Sequence, residues 1–166
     1  MAIWRLVTHH ERPEEALQAY KRGLPGKGQF VALGWGATGD LLALRPANSC
    51  VIQRTILNAN DRYPSYATLQ SAISGGRCLW AFYNEMQLGD LVILSIGKGP
   101  LQDVCEVMGT YEWLPTPVFP GTYPNSDYQH IRRVKWRQDL DGTVIWRQRG
   151  GRPSLGWNLR WALIQL

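Results

Sequence analysis

Gln29-Phe30-Val31-Ala32-Leu33-Gly34-Trp35-Gly36-Ala37-Thr38-Gly39-Asp40-Leu41 is the stretch on which the fold turns. Gln29 to Trp35 is rich in strand formers and reads as a strand. It runs into a segment dense in glycine (Gly34, Gly36, Gly39), where the backbone can take positive φ and approach a neighbour closely. Trp35 therefore stands at a strand end inside a glycine loop. Asp40 follows glycine, as Asp90 does, and both read as turn residues that bond backbone amides.

Upstream, Ile3 to Thr8 is expected to be a strand. Pro13 at a helix start, Glu14 and Glu15 in the first turn, and the face Ala16, Leu17, Tyr20 predict a helix ending near Gly23. Leu24 to Gly28 is a turn. Downstream, Ser49 reads as the N-cap of a short helix carrying Val51, Ile52, Thr55 and Ile56. Ser65 to Met86 reads as helical with a break at Gly75-Gly76. The second half changes character. Leu88-Gly89-Asp90 turns into a strand over Leu91 to Ile96, Gly97 to Pro100 is a turn, and Gln102 to Tyr111 is a strand. Trp113 to Asp127, with its prolines, is a loop, and Tyr128 to Arg137 alternates as a strand. Asp141-Gly142 signals a hairpin with Val144, Ile145 and Trp146 on the return strand. The tail Trp157 to Leu166 is apolar enough to pack back. Short strands with helices gathered early predict an α+β fold in one domain over residues 1–166, its strands forming a small barrel or strongly curved sheet.

The chain has 166 residues, 45% hydrophobic and 19% charged, enough for a packed core. No apolar run approaches the roughly 18–20 residues of a membrane span, and Met1-Ala2-Ile3-Trp4-Arg5 does not resemble a signal peptide. A cytoplasmic protein without membrane contact is expected. Cys50, Cys78 and Cys105 form no C-x-x-C pair, so they read as small buried apolar residues.

Net charge is +5 and there are 8 tryptophans. Basic charge with surplus aromatics suits base stacking with phosphate contacts, though tryptophans also serve as core. Charge is uneven: Glu85 to Asp127 is acidic with Lys98 as its one cation, and His130 to Arg160 is basic. On an alternating strand Arg133, Lys135 and Arg137 share a face. With Lys98 and the loop residues Arg147, Arg149 and Arg152, they are the candidate phosphate-backbone contacts.

Phe30 to Gly36 followed by Gly39-Asp40-Leu41 resembles the "ALGWG…GDL" segment of EVE-type domains. Leu79-Trp80-Ala81-Phe82-Tyr83-Asn84-Glu85-Met86-Gln87-Leu88-Gly89-Asp90-Leu91-Val92 is similar to a second family segment, and Glu106-Val107, Tyr111 and Arg132 to Trp136 extend the likeness. EVE domains belong to the PUA-like group, which includes the YTH domains. The resemblance implies a small open β-barrel flanked by helices and nucleic-acid binding, often with a modified base in an aromatic cage. Such domains serve as recognition modules of modification-dependent restriction systems, which makes a separately encoded nuclease a possible partner. The resemblance places Trp35 as a cage wall and Tyr111 and Trp113 as further aromatics. Gly34, Gly36, Ser95 and Asp40 are candidates for polar contacts to the base edge. Trp4, Trp80 and Trp136 read as core.

Catalysis is not expected. Neighbours on a strand point to opposite faces, so His9-His10-Glu11 is a poor chelate. Asp103 and Glu106 lack the lysine spacing of a restriction nuclease core. There is no G-x-S-x-G and no phosphate loop. No metal or cofactor is expected. Modified DNA is the favoured partner. An RNA-binding PUA-like module and a pocket for a free nucleotide, as in the related ASCH domains, are the alternatives.

Overall fold

A computed structural model describes residues 1–59, 61–96, 101–119, 127–150 and 162–166. Its six strands are β1 (Ile3–Val7), β2 (Phe30–Leu33), β3 (Leu91–Ser95), β4 (Leu101–Trp113), β5 (His130–Trp136) and β6 (Leu163–Gln165). They form one sheet in the order β2-β5-β4-β3-β1-β6. The sheet is mixed: β1 runs parallel to β3, antiparallel to β6, and β3 runs antiparallel to β4. Among the described residues β2 and β6 are its free edges, so it is open. Five helices complete an α+β fold: α1 (Pro13–Arg22), α2 (Leu41–Leu44), α3 (Ser49–Asn58), α4 (Ile73–Trp80) and α5 (Gly142–Gln148).

The chain divides into two units. The first comprises Met1–Val31, Met86–Thr110 and Arg132–Leu166. Every residue of β1 and β3 is buried, as strands covered on both faces require. On one side Ile3, Leu91, Ile93, Leu101, Val104 and Trp146 form a core cluster with Leu140, Ile145 and Leu166 against it. Asp90 locks the start of β1 onto this unit. Its Oδ1 accepts from Ala2 N at 2.6 Å, and its Oδ2 accepts from Trp4 Nε1 and Gln87 N, both at 2.9 Å. Burial alone pushes the Asp90 carboxyl up, but these three donors win and hold it below the ordinary aspartate range. Asp90 is thus the amide-binding turn residue its Gly-Asp setting predicts.

The second unit comprises Ala32–Glu85 and Tyr111–Ile131. Here α3 and α4 pack together. The pair Gly75-Gly76 does not break the helix, as the sequence suggested; α4 runs through it and continues as a π-helical turn, Ala81–Glu85. The glycines serve close approach instead. A Cβ on Gly76 would lie 2.8 Å from Gln53 Cβ and 2.9 Å from the Ser49 carbonyl oxygen.

Five further expectations are corrected. Asp141-Gly142 starts α5 rather than a hairpin: Asp141 caps it by accepting from Thr143 N (2.8 Å) and Val144 N (3.4 Å), and Trp146 turns into the core. α3 is capped by Asn48, whose side chain accepts from Cys50 N and Val51 N, so Ser49 is its first turn. Cys50 is exposed rather than buried, while Cys78 and Cys105 are buried. β2 stops at Leu33, because Trp35 takes a left-handed conformation that ends the strand. Trp4 is core, whereas Trp80 and Trp136 are only half-buried. The turn Gly97 to Pro100 and most of the tail lie outside the described residues.

Candidate functional site

Trp35 is one of two non-glycine residues with positive φ among those described (φ 63°, ψ 34°). A bulky side chain in that region is strained, so its surroundings must hold it there. They do so through the backbone. The Trp35 carbonyl accepts from Thr38 N at 3.0 Å and from Thr38 Oγ1 at 2.8 Å, closing the short 3-10 turn Gly36–Thr38. His130 Nε2 lies 3.2 Å from the same carbonyl, and His130 Nδ1 lies 2.8 Å from the Tyr111 hydroxyl. A carbonyl can only accept, so Nε2 carries the proton and Nδ1 accepts from Tyr111. His130 is fully buried, which pushes its imidazole down to about 4 and keeps it neutral. Tyr111 also accepts from Leu41 N at 3.2 Å.

The next residues are clamped as tightly. Gly36 N donates to the Asp127 carbonyl at 3.0 Å, and Ala37 N donates to Asp127 Oδ2 at 2.9 Å. The Tyr63 hydroxyl donates to that same Oδ2 and also accepts from Ala37 N at 2.8 Å. Gly36 leaves no room for a side chain: a Cβ would fall 2.5 Å from the Asp127 carbonyl oxygen. Burial raises both partners of the Tyr63–Asp127 pair above their ordinary values, most strongly the phenol.

Around this clamp sit rings. Trp35 meets Tyr66 edge-on at 6.2 Å, and Tyr66 meets Tyr63 edge-on at 6.2 Å. Tyr66 is raised by burial, opposed by a hydrogen bond from Trp35. The Trp35 ring also approaches α4, where a Cβ on Gly75 would come within 3.0 Å of Trp35 Cε2. A separate stack joins Tyr83, on the π-helical turn, to Tyr111 at 5.2 Å and 88°, and Tyr111 to His130 at 5.7 Å.

The predicted base contacts are thus partly assembled. Gly34, Trp35, Gly36, Asp40, Tyr111 and Trp113 all belong to the second unit. Trp35 is 9% exposed and Tyr111 3%. Tyr111 is covered by rings and its hydroxyl is committed, so it supports the loop rather than presenting a face. Asp40 caps α2 by accepting from Leu42 N at 2.9 Å. Trp113 is half-buried, and its indole N–H is buried without a hydrogen-bond acceptor among the described residues. Ser95 belongs to the first unit, fully buried, with its hydroxyl 3.4 Å from the Leu6 carbonyl.

Of the predicted phosphate contacts, Arg133 and Lys135 project from β5 as exposed side chains. Arg137 is engaged: it forks onto Asp139 (2.8 and 2.7 Å) and bonds Glu106 at 2.9 Å, holding the Asp139 carboxyl down to about 2. Arg147 and Arg149 are exposed at the end of α5, so the expected basic loop begins as a helix. Lys98 and Arg152 lie outside the described residues. His9 Nδ1 accepts from Glu11 N and Arg12 N ahead of α1. No group of three metal-ligating side chains is found among the described residues. No helix among them is long and apolar enough to cross a membrane.

Sequence reasoning missed Tyr63, Tyr66, Tyr83, Asp127 and His130 as site residues. A lone histidine opening a strand, and two tyrosines three apart around Pro64, were the available signals.

Residues 18–150 match the model of a domain family of unknown function, DUF8426. The chain belongs to this family. The match takes in the whole clamp of this DUF8426 domain, from Trp35 to His130. No curated protein matches the chain.

Proposed function

We propose that this DUF8426 protein is a non-catalytic reader of nucleic acid that takes one flipped base, modified by a methyl-type group, against Trp35. We take the open mixed sheet as the frame of a PUA-like barrel, as the likeness to EVE-type domains suggests. The observation that carries the reading is the strained Trp35. A tryptophan held in left-handed backbone by a buried histidine, a threonine and an aspartate–tyrosine pair is preorganised beyond what packing needs. Stacking on such a ring supplies roughly 1–3 kcal/mol per base, against a few kcal/mol for unstacking it from a duplex. Tyr66 gives the ring a second aromatic neighbour. Arg133, Lys135, Arg147 and Arg149 supply exposed cations for the phosphate backbone.

The test is binding to a panel of otherwise identical oligonucleotides carrying methyladenine, methylcytosine, hydroxymethylcytosine or no modification. Wild type is expected to favour one modified probe. Trp35→Ala is expected to lose that preference and weaken binding by about 1–3 kcal/mol. Equal affinity for all duplexes would remove the modified base from the reading. RNA–DNA competition at fixed salt decides the polymer. Thermal stabilisation by a nucleoside, with no salt-dependent polymer binding, would replace the reader with a free-nucleotide pocket.

A further inference from the structure

Asp127 is 4% exposed, and its two carboxylate oxygens are treated differently. Oδ2 takes the Tyr63 hydroxyl and the Ala37 amide. Oδ1 is buried and has no hydrogen-bond partner among the described residues. Native interiors rarely leave a carboxylate oxygen unmatched, because the loss is large when nothing replaces water. The same carboxylate is fixed in place. Tyr63 and Ala37 hold Oδ2, and the Asp127 carbonyl holds Gly36 N, one residue after Trp35. A rigid, buried acceptor thus stands in the shell that positions the stacking tryptophan, and no described residue donates to its Oδ1.

We propose that Asp127 Oδ1 accepts a hydrogen bond from the exocyclic amine of the bound base, so that the site selects amino bases over oxo bases. This rests on the reader function above. The chemistry favours an amine over a ring imide. An exocyclic amine projects from the base edge and can reach a single oxygen, and acceptance from the cytosine amine is the ordinary role of an aspartate at a base. The N3–H of uracil or thymine is flanked on both sides by carbonyl oxygens, which would face the carboxylate. A singly methylated amine keeps one N–H and remains a ligand. A doubly methylated amine has none.

The experiment uses the full chain and twelve-residue oligo-dT probes with one central substitution: cytosine, 5-methylcytosine, N6-methyladenine, 2-pyrimidinone or none. 2-Pyrimidinone is cytosine without its amine. Wild type is expected to bind the best amino probe about tenfold more tightly than 2-pyrimidinone or unsubstituted oligo-dT. Asp127→Asn, whose amide is isosteric, is expected to bring the probes within about twofold of one another. Equal wild-type affinity for cytosine and 2-pyrimidinone overturns the proposal without any variant, so a poorly folding Asp127→Asn does not protect it. An unchanged amino preference in a folded Asp127→Asn also overturns it. In both cases binding persists and the reader function stands. Absence of wild-type binding to every probe and to the duplex panel removes the reader function itself, and this proposal with it.

Discussion

His130 has one neutral tautomer available, because the carbonyl on its Nε2 can only accept and the hydroxyl on its Nδ1 can donate. Protonation would set an N–H against the Tyr111 proton inside a fully buried site. The folded imidazole is held down to about 4, against 6.5 in the unfolded chain. Between those values the unfolded state binds more protons, so stability contributed by neutral His130 is complete above about pH 6.5 and falls as pH drops toward 4. The linked loss is about 3 kcal/mol. His9, also lowered to about 4 by burial, acts in the same window, and Asp127, raised by burial, opposes it. Urea titrations across pH 4–7 should therefore show a shallower acid slope for His130→Gln than for wild type, with part of the slope remaining from His9. Identical slopes would mean the imidazole does not anchor the loop as described. At this scale the sequence revealed Trp35, because glycines crowd it. It did not reveal Asp127 and Tyr63, which stand 64 positions apart and meet only in the folded chain.

Helical glycines were legible as punctuation but not as packing. In isolation Gly76→Ala gains up to about 1 kcal/mol of helix propensity. Here the new methyl meets Gln53 Cβ and the Ser49 carbonyl oxygen, atoms fixed to the α3 backbone that cannot swing aside. Overpacking of this kind costs typically 1–3 kcal/mol, so Gly76→Ala is expected to lower stability by about 1 kcal/mol by chemical denaturation. Gly75→Ala presses on the Trp35 ring as well as on Ile56 Cδ1 and should alter tryptophan emission too. The misread element, α5, has the same lesson. Asp-Gly serves a hairpin turn or a helix start equally, and Val144-Ile145-Trp146 favours strand locally. What decided it was burial four apart, Gly142 and Trp146, with Val144 left exposed. Strands β3, β4 and β5 were readable because their apolar residues face two covered sides or alternate cleanly.

For the molecule as a whole, net charge +5 predicts attraction to a polyanion, but folding decides which cations count. Sequence alternation grouped Arg137 with Arg133 and Lys135; the structure gives Arg137 to Glu106 and Asp139. Neutralising Arg133 and Lys135 together should reduce the slope of log affinity against log salt by about 2 and leave base preference intact. Arg137→Gln should change that slope less and lower stability instead. A salt series on the three proteins checks both, and a larger slope change for Arg137→Gln would contradict the assignment.

The pairing of β1 also sets a clock. Ile3 meets Leu91, and Leu6 meets Leu163, so neither ladder of this strand can close locally. Loop closure over such separations must precede the contacts that stabilise it, which places folding in the slow, high-contact-order regime. Until the last strand arrives, one edge of β1 stays bare, open to pairing with another copy of the chain. Aggregation during refolding, rather than weakness of the finished sheet, is then the hazard this topology creates.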